Sequence, residues 1–299
     1  MASLRASLSE FGWRRRVFSL VVLGFLGLVV WTVLEHGIGA ALGQLPYDAA
    51  DHRIHDFTFA LIFLTAGVGM VVQLRKPSEN VAGQVMALIP WVGAVLAFAL
   101  ARFVGHILII IAIFGVLTLL AAVLHPAGRD FFRSFSVSRV NWVLLTLVII
   151  AAVPLLAFAS TNVGLQAGAS GPSHGHGGAA TGHGAAATDD EGGAGTHDEA
   201  VHQEHIDAGH FGLMAAFSFI VIGVGLLASL RPDGWWLTAW VAGFFPALIG
   251  LASVVFPDDA SSFGLAWGLA AIVWGVTFVA VAELIRRRGR SHPGRAGQS

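Results

Sequence analysis

The chain contains no cysteine and few charged residues for its length. None of the 299 residues is cysteine, which excludes a disulfide framework and thiolate ligation of a metal. Charged residues make up 12% of the chain and hydrophobic residues 56%. A soluble globular domain averages about 25% charged residues. The composition therefore predicts an integral membrane protein.

Several signatures of enzymes and pumps are also missing. No phosphate-binding loop, nucleophile elbow or zinc-protease helix signature occurs. The apolar segments carry no charged residue in their central parts, where proton-coupled pumps usually have one. Basic residues lie beside the apolar segments without an accompanying aromatic surface, so nucleic acid is not an expected partner. These absences argue against active proton coupling and leave the question of enzymatic activity open.

Apolar runs long enough to cross a bilayer occupy most of the chain. A helix needs about 20 apolar residues to cross about 30 Å of hydrocarbon, and lipid offers no partner to a non-helical backbone. The predicted fold class is therefore all-α, a polytopic membrane protein with eight transmembrane helices. The eight runs are 17–34, 57–74, 81–101, 103–124, 140–159, 211–230, 235–256 and 263–282.

Basic residues are divided unequally between the two sides of the predicted membrane. Fifteen of the seventeen Lys and Arg residues fall on the side of both termini, and only Arg53 and Arg102 fall on the other. By the positive-inside rule, the basic side is cytoplasmic. We therefore expect a multi-pass protein of the plasma membrane with both termini in the cytoplasm.

The two halves of the chain match each other at an offset of 156 residues. Pro90 then falls on Pro246, and Leu74-Arg75 falls on Leu230-Arg231. Four spans return the chain to its starting side, so the halves are predicted to be parallel four-helix repeats. The predicted segments are a cytoplasmic start at 1–16, repeats at 17–139 and 140–285, and a basic cytoplasmic tail at 286–299. The second repeat includes a His-, Gly- and acid-rich outer loop at 164–208, which is expected to be disordered.

Histidines and acids are concentrated on the outer side. Eleven of the thirteen histidines and thirteen of the eighteen acids fall there, and several occupy helix ends, where a rigid bundle can hold them. Spacings of three, four and seven residues place these groups on shared helix faces at the starts of the second and sixth spans. The candidate metal ligands are His52, His55, Asp56, His205, Asp207, His210 and Met214.

Three interpretations of these outer groups are open. Imidazole and carboxylate without thiolate suit Zn, Ni, Co, Cu or Fe, so we expect a bound transition-metal ion in a metal permease or a metal-uptake or sensing protein. The second is a membrane redox protein that holds haem b through axial histidines, with His36 and His106 as candidates beside His55 and His210. In the third, no cofactor is bound, and the polar groups only cap helices and hydrate the interface.

One short stretch resembles a known family. His205-Ile-Asp-Ala-Gly-His210, followed by Met214, is similar to the His/Asp helix signatures of nickel and cobalt permeases. Gly209 stands where that family has Asp directly before the second His, and the similarity covers only this stretch, so the family is not assigned. The expected partners are the lipid bilayer and a small ion or haem, and the oligomeric state is left open.

Overall fold

The computed structural model describes residues 2–41, 49–168, 209–259 and 261–290, and all regular structure within these ranges is helical. Eight of the described helices are long and apolar enough to cross a membrane, which supports a multi-pass membrane protein and confirms the all-α expectation. They are α1 (Ala2–Ala41), α2 (Ala49–Val71), α3 (Val81–Leu100), α4 (Ile107–Leu124), α5 (Trp142–Gly168), α6 (His210–Leu230), α7 (Trp235–Val255) and α8 (Gly264–Arg290).

Several helices extend beyond the apolar runs that predicted them. The difference matters most for α5, which continues to Gly168, so that residues 164–168 are helical and not the start of a loop. The physical reason lies in Gln166, whose buried side-chain oxygen accepts a hydrogen bond from the Gly212 amide at 2.9 Å. The rest of the predicted loop, 169–208, lies outside the described residues.

Four helices form the centre of the bundle and four surround it. The most apolar windows of α2, α3, α6 and α7 are 61%, 67%, 72% and 56% buried, whereas those of α1, α4, α5 and α8 are 17–28% buried. The outer four therefore present large apolar surfaces, as expected of helices that face lipid. In each half the helices have the same neighbours: α1 contacts α2 and α4, and α5 contacts α6 and α8.

Glycines allow the closest approach between helices. A Cβ atom built on Gly250 in α7 would lie 2.5 Å from the Gly268 carbonyl oxygen in α8, and one on Gly243 would lie 2.5 Å from the Gly275 carbonyl oxygen. The two contacts are separated by two helical turns on both helices, so the backbones touch along a continuous line. Small residues stabilise membrane helix pairs because they allow this packing.

The connections between helices define the two ends of the bundle. The α2–α3, α4–α5 and α6–α7 connections meet at one end, which we call the inner end. There the Asp233 amide donates to the Ser134 hydroxyl at 2.6 Å, and the Ala82 amide donates to the Asp233 carbonyl at 2.9 Å. The opposite end, which carries the α3–α4 and α7–α8 connections, is the outer end.

Candidate functional site at the outer end

Two predicted ligands from different halves of the chain are in direct contact at the outer end. The rings of His55 in α2 and His210 in α6 stack with their centroids 4.1 Å apart and their planes 19° from parallel. The His55 side chain is 12% exposed and His210 is 2% exposed. The stack therefore lies at the edge of the core, within reach of solvent on the His55 side.

The start of α6 places His210 in this position. Gly209 precedes the helix with φ 76°, a left-handed conformation that glycine adopts without steric cost. A Cβ on Gly209 would lie 3.1 Å from Ile107 and 3.1 Å from the Phe98 ring. Nickel and cobalt permeases have an aspartate at this point. Here an aspartate would have a strained backbone conformation, and its side chain would lie too close to Ile107 and Phe98.

A serine from the α7–α8 connection holds the His210 ring. The Ser261 hydroxyl lies 2.5 Å from His210 Nε2. Ser261 has φ 65°, in the left-handed region that costs a non-glycine residue about 1–3 kcal/mol. Strained residues of this kind are concentrated at functional sites, where the surrounding structure holds them in place.

Further polar contacts close the outer end around the stack. Asp56 Oδ1 lies 3.4 Å from His55 Nδ1, an ion pair only when the imidazole is protonated. Arg53 pairs with Asp259 at 3.1 Å, and its guanidinium lies 4.1 Å from the centroid of the Phe256 ring. These contacts fasten the start of α2 to the connection that carries Ser261.

The other predicted ligands are distributed differently. Met214 is fully buried one turn further along α6 than His210, and His106 is exposed at the start of α4. Within the described residues, no group of three or more His, Asp or Glu side chains is arranged to hold a metal ion. The side chains of His36 and His52, and the whole of His205 and Asp207, lie outside the described residues.

The stacked geometry limits what the pair can bind as it stands. The lone pairs of imidazole lie in the ring plane. In two nearly parallel rings they therefore point in parallel planes and do not converge on a single metal ion. A metal ion would be shared only after one ring rotates about its side-chain torsions. A haem cannot lie between these two rings, because axial ligands face each other across the macrocycle and the rings here are in contact.

Sequence reasoning did not identify Ser261 or the Arg53–Asp259 pair. The signal available was a cluster of polar residues between two apolar runs, at 257–262. That pattern predicts a turn but does not indicate which helix the turn approaches.

A second buried histidine lies at the inner end. His125, 3% exposed, directly follows α4, and its Nε2 lies 3.2 Å from the side-chain oxygen of Gln73. Burial lowers the pKa of His125 to about 4, because the charged form loses its hydration. The Gln73 amide also donates to the Asn80 carbonyl at 2.9 Å. This network joins α2 to the end of α4.

A search of protein-family models, of curated proteins and of solved structures finds no match to this chain.

Proposed function

We propose that this chain is a multi-pass membrane protein that binds a transition-metal ion at its outer end, with His55 and His210 as the central ligands. One observation carries the proposal: two imidazoles from helices far apart in the sequence meet at 4.1 Å. Each was expected from sequence as a metal ligand. Contact between two such rings, one of them held by a strained serine, supports a binding role over simple helix capping.

The ligand set requires donors beyond the two rings. A structural zinc site usually has four protein ligands, and a catalytic zinc site has three. Asp56 is adjacent to His55, and His52, His205 and Asp207 lie within five residues of one ring or the other in the sequence. We propose that one ring turns out of the stack and that these neighbours complete the coordination.

A bare ion is favoured over haem b by the ring geometry. Stacked rings can separate by a side-chain rotation to share an ion, whereas a haem would require the two helices to move apart by the thickness of a macrocycle. Binding at the outer end would be the first step of metal uptake or of metal sensing.

The proposal includes two parallel four-helix repeats with both termini in the cytoplasm of the cell. Moved by the 156-residue offset, α3 would occupy 237–256, close to α7 at Trp235–Val255. The two halves also share the same order of helix neighbours. Both features support a duplication, which would place His55 within one residue of His210, since 55 plus the offset is 211.

Elemental analysis of the purified full-length chain tests the metal site. After incubation with Zn²⁺, Ni²⁺, Co²⁺ or Cu²⁺ and removal of excess ion, the wild type should retain roughly one ion per chain. His55→Ala with His210→Ala should abolish retention. The matched control is His106→Ala, which removes an exposed outer histidine that is not part of the stack.

Two results would contradict the proposal. Equal loss in the control and in the double variant would mean that outer histidines bind ions without a defined site. A Soret band in the absorption spectrum of the wild type, with no retained metal other than iron, would select the haem alternative.

A further inference from the structure

A polar groove at the inner end is separate from the outer histidines. It has a volume of about 550 Å³ and is lined by residues of all three inner connections. Its charged side chains are Glu79 after α2, Arg139 before α5, and Arg231 and Asp233 between α6 and α7, and Trp235 closes one wall. A volume of this size suits a small ligand.

Three of these four charges already have partners. Arg139 pairs with Asp233 at 3.0 Å, and Glu79 pairs with Lys76 at 2.9 Å. Arg231 makes neither an ion pair nor a side-chain hydrogen bond within the described part of the chain, and its Nε atom is fully enclosed. The groove therefore has one uncompensated positive charge.

The backbone and an aromatic ring hold Arg231 in the groove wall. Arg231 ends α6 in a left-handed conformation, with φ 52° and ψ 47°, at a point where helices commonly have glycine. Its guanidinium lies 5.0 Å from the centroid of the Trp235 ring. An arginine in a strained backbone position, with a buried donor that lacks an acceptor, is the arrangement expected of a group that receives an anion.

We propose that this groove binds a phosphate group, with the Arg231 guanidinium as its main donor. The planar guanidinium presents donors in a fork that matches two phosphate oxygens. The groove also opens at the first turn of α7, where the helix dipole favours negative charge. The phosphate belongs either to an anionic lipid headgroup of the inner leaflet or to a free phosphorylated solute, and the proposal does not depend on the outer metal site.

Binding to the delipidated full-length chain in detergent tests the proposal. Inorganic phosphate is titrated by calorimetry, and dioctanoyl phosphatidylglycerol is measured by native mass spectrometry. The expected result is that Arg231→Gln weakens binding of whichever probe binds the wild type by about tenfold, the effect of losing a charged hydrogen bond. Arg75→Gln is the matched control, because Arg75 is an exposed arginine at the end of α2 outside the groove.

A second variant separates loss of binding from loss of folding. Arg231→Gly places the preferred residue in the left-handed position, so the chain should fold at least as stably while binding is lost. The source of the phosphate is given by the probe whose binding falls in both Arg231 variants: inorganic phosphate indicates a free solute, and the lipid alone indicates a headgroup. Unchanged binding in both Arg231 variants, an equal loss in Arg75→Gln, or no binding of either probe to the wild type would overturn the proposal.

Discussion

His125 is enclosed at the inner end between Gln73 and the ring of Phe18, whose centroid lies 5.7 Å away. This environment favours the neutral ring, because burial removes the hydration of the charged form. His55, by contrast, stacks on His210 and lies 3.4 Å from Asp56. The same residue type is therefore packed in the core at one end of the bundle and is proposed as a ligand at the other.

The stability of the protein should fall on acidification through His125. Its pKa is about 4 in the folded protein, against 6.5 for an ordinary histidine, so the unfolded chain takes up the proton first. The contribution of the neutral His125 ring to the free energy of unfolding is complete above about pH 6.5. It is lost as the pH falls towards 4. The melting temperature of the wild type should therefore drop more steeply between pH 7 and 4.5 than that of His125→Gln. Parallel curves for the two proteins would contradict this assignment.

The orientation of His210 should depend on Ser261. Ser261→Ala removes the hydroxyl that lies 2.5 Å from Nε2, and Ser261→Gly also relieves the left-handed backbone. Both variants should weaken metal retention, by roughly two- to tenfold for a contact that contributes about 0.5–1.5 kcal/mol. Retention is measured by equilibrium dialysis, with Ser262→Ala as the neighbouring control. Wild-type affinity in both Ser261 variants would show that the serine does not position the ligand.

At the scale of elements, the helix pairs differ in how closely their backbones approach. Glycines bring α7 and α8 into backbone contact, whereas Gly24 in α1 has no heavy atom within 4 Å of an added Cβ. The difference follows from what each helix contacts: α8 meets another helix along its glycines, and Gly24 is exposed on a helix whose most apolar window is only 22% buried.

Enlarging a glycine should therefore destabilise only the close pair. Gly250→Ala would place a Cβ 2.5 Å from the Gly268 carbonyl oxygen, and the helices would have to separate, at a cost of about 1–3 kcal/mol. Gly24→Ala should be neutral or slightly stabilising, because alanine favours the helix. Thermal unfolding in detergent compares the two variants, and equal melting temperatures would mean that the α7–α8 contact is not close in the protein.

The long segment between α5 and α6 should contribute little to tight metal binding. Deletion of 170–198 removes four histidines but retains His205 and Asp207, which precede α6 in the sequence, and His210, the first residue of α6. His55 and His210 are already positioned on α2 and α6, whereas ordering a Gly- and Ala-rich sequence around an ion costs conformational entropy. Equilibrium binding should thus be nearly unchanged by the deletion. Loss of tight binding in the deletion, with the His55/His210 double variant harmless, would assign the site to the segment instead.

At the scale of the whole molecule, topology is the property most directly open to test. The chain has no cysteine, so a single introduced cysteine reports one position without background. Arg133→Cys, in the α4–α5 connection, should react only with reagents that reach the cytoplasm, and His106→Cys only with reagents outside. Labelling of Arg133→Cys from outside would overturn the proposed orientation.

Much of the architecture was predictable because the bilayer imposes it on the sequence. All eight apolar runs correspond to helices, since an apolar segment in lipid has no other way to satisfy its backbone. The helix ends were less predictable: α5 continues to Gly168 because Gln166 finds a partner in α6, a contact that no local pattern indicates. The boundaries of the apolar runs placed His210 at a helix start, which the structure confirms, and His55 at the start of a helix that in fact begins earlier, at Ala49.

The sequence by itself determined the helical class and the number of helices long and apolar enough to span a membrane, because hydrophobic length acts locally along the chain. Only the tertiary structure decided that His55 stacks on His210, that Ser261 holds the second ring, and that Arg231 has no ion-pair partner among the residues the structure describes. Each of these depends on which side chains from distant segments become neighbours. That choice is made by helix packing, where single glycines such as Gly209 and Gly250 set the distance and angle between elements.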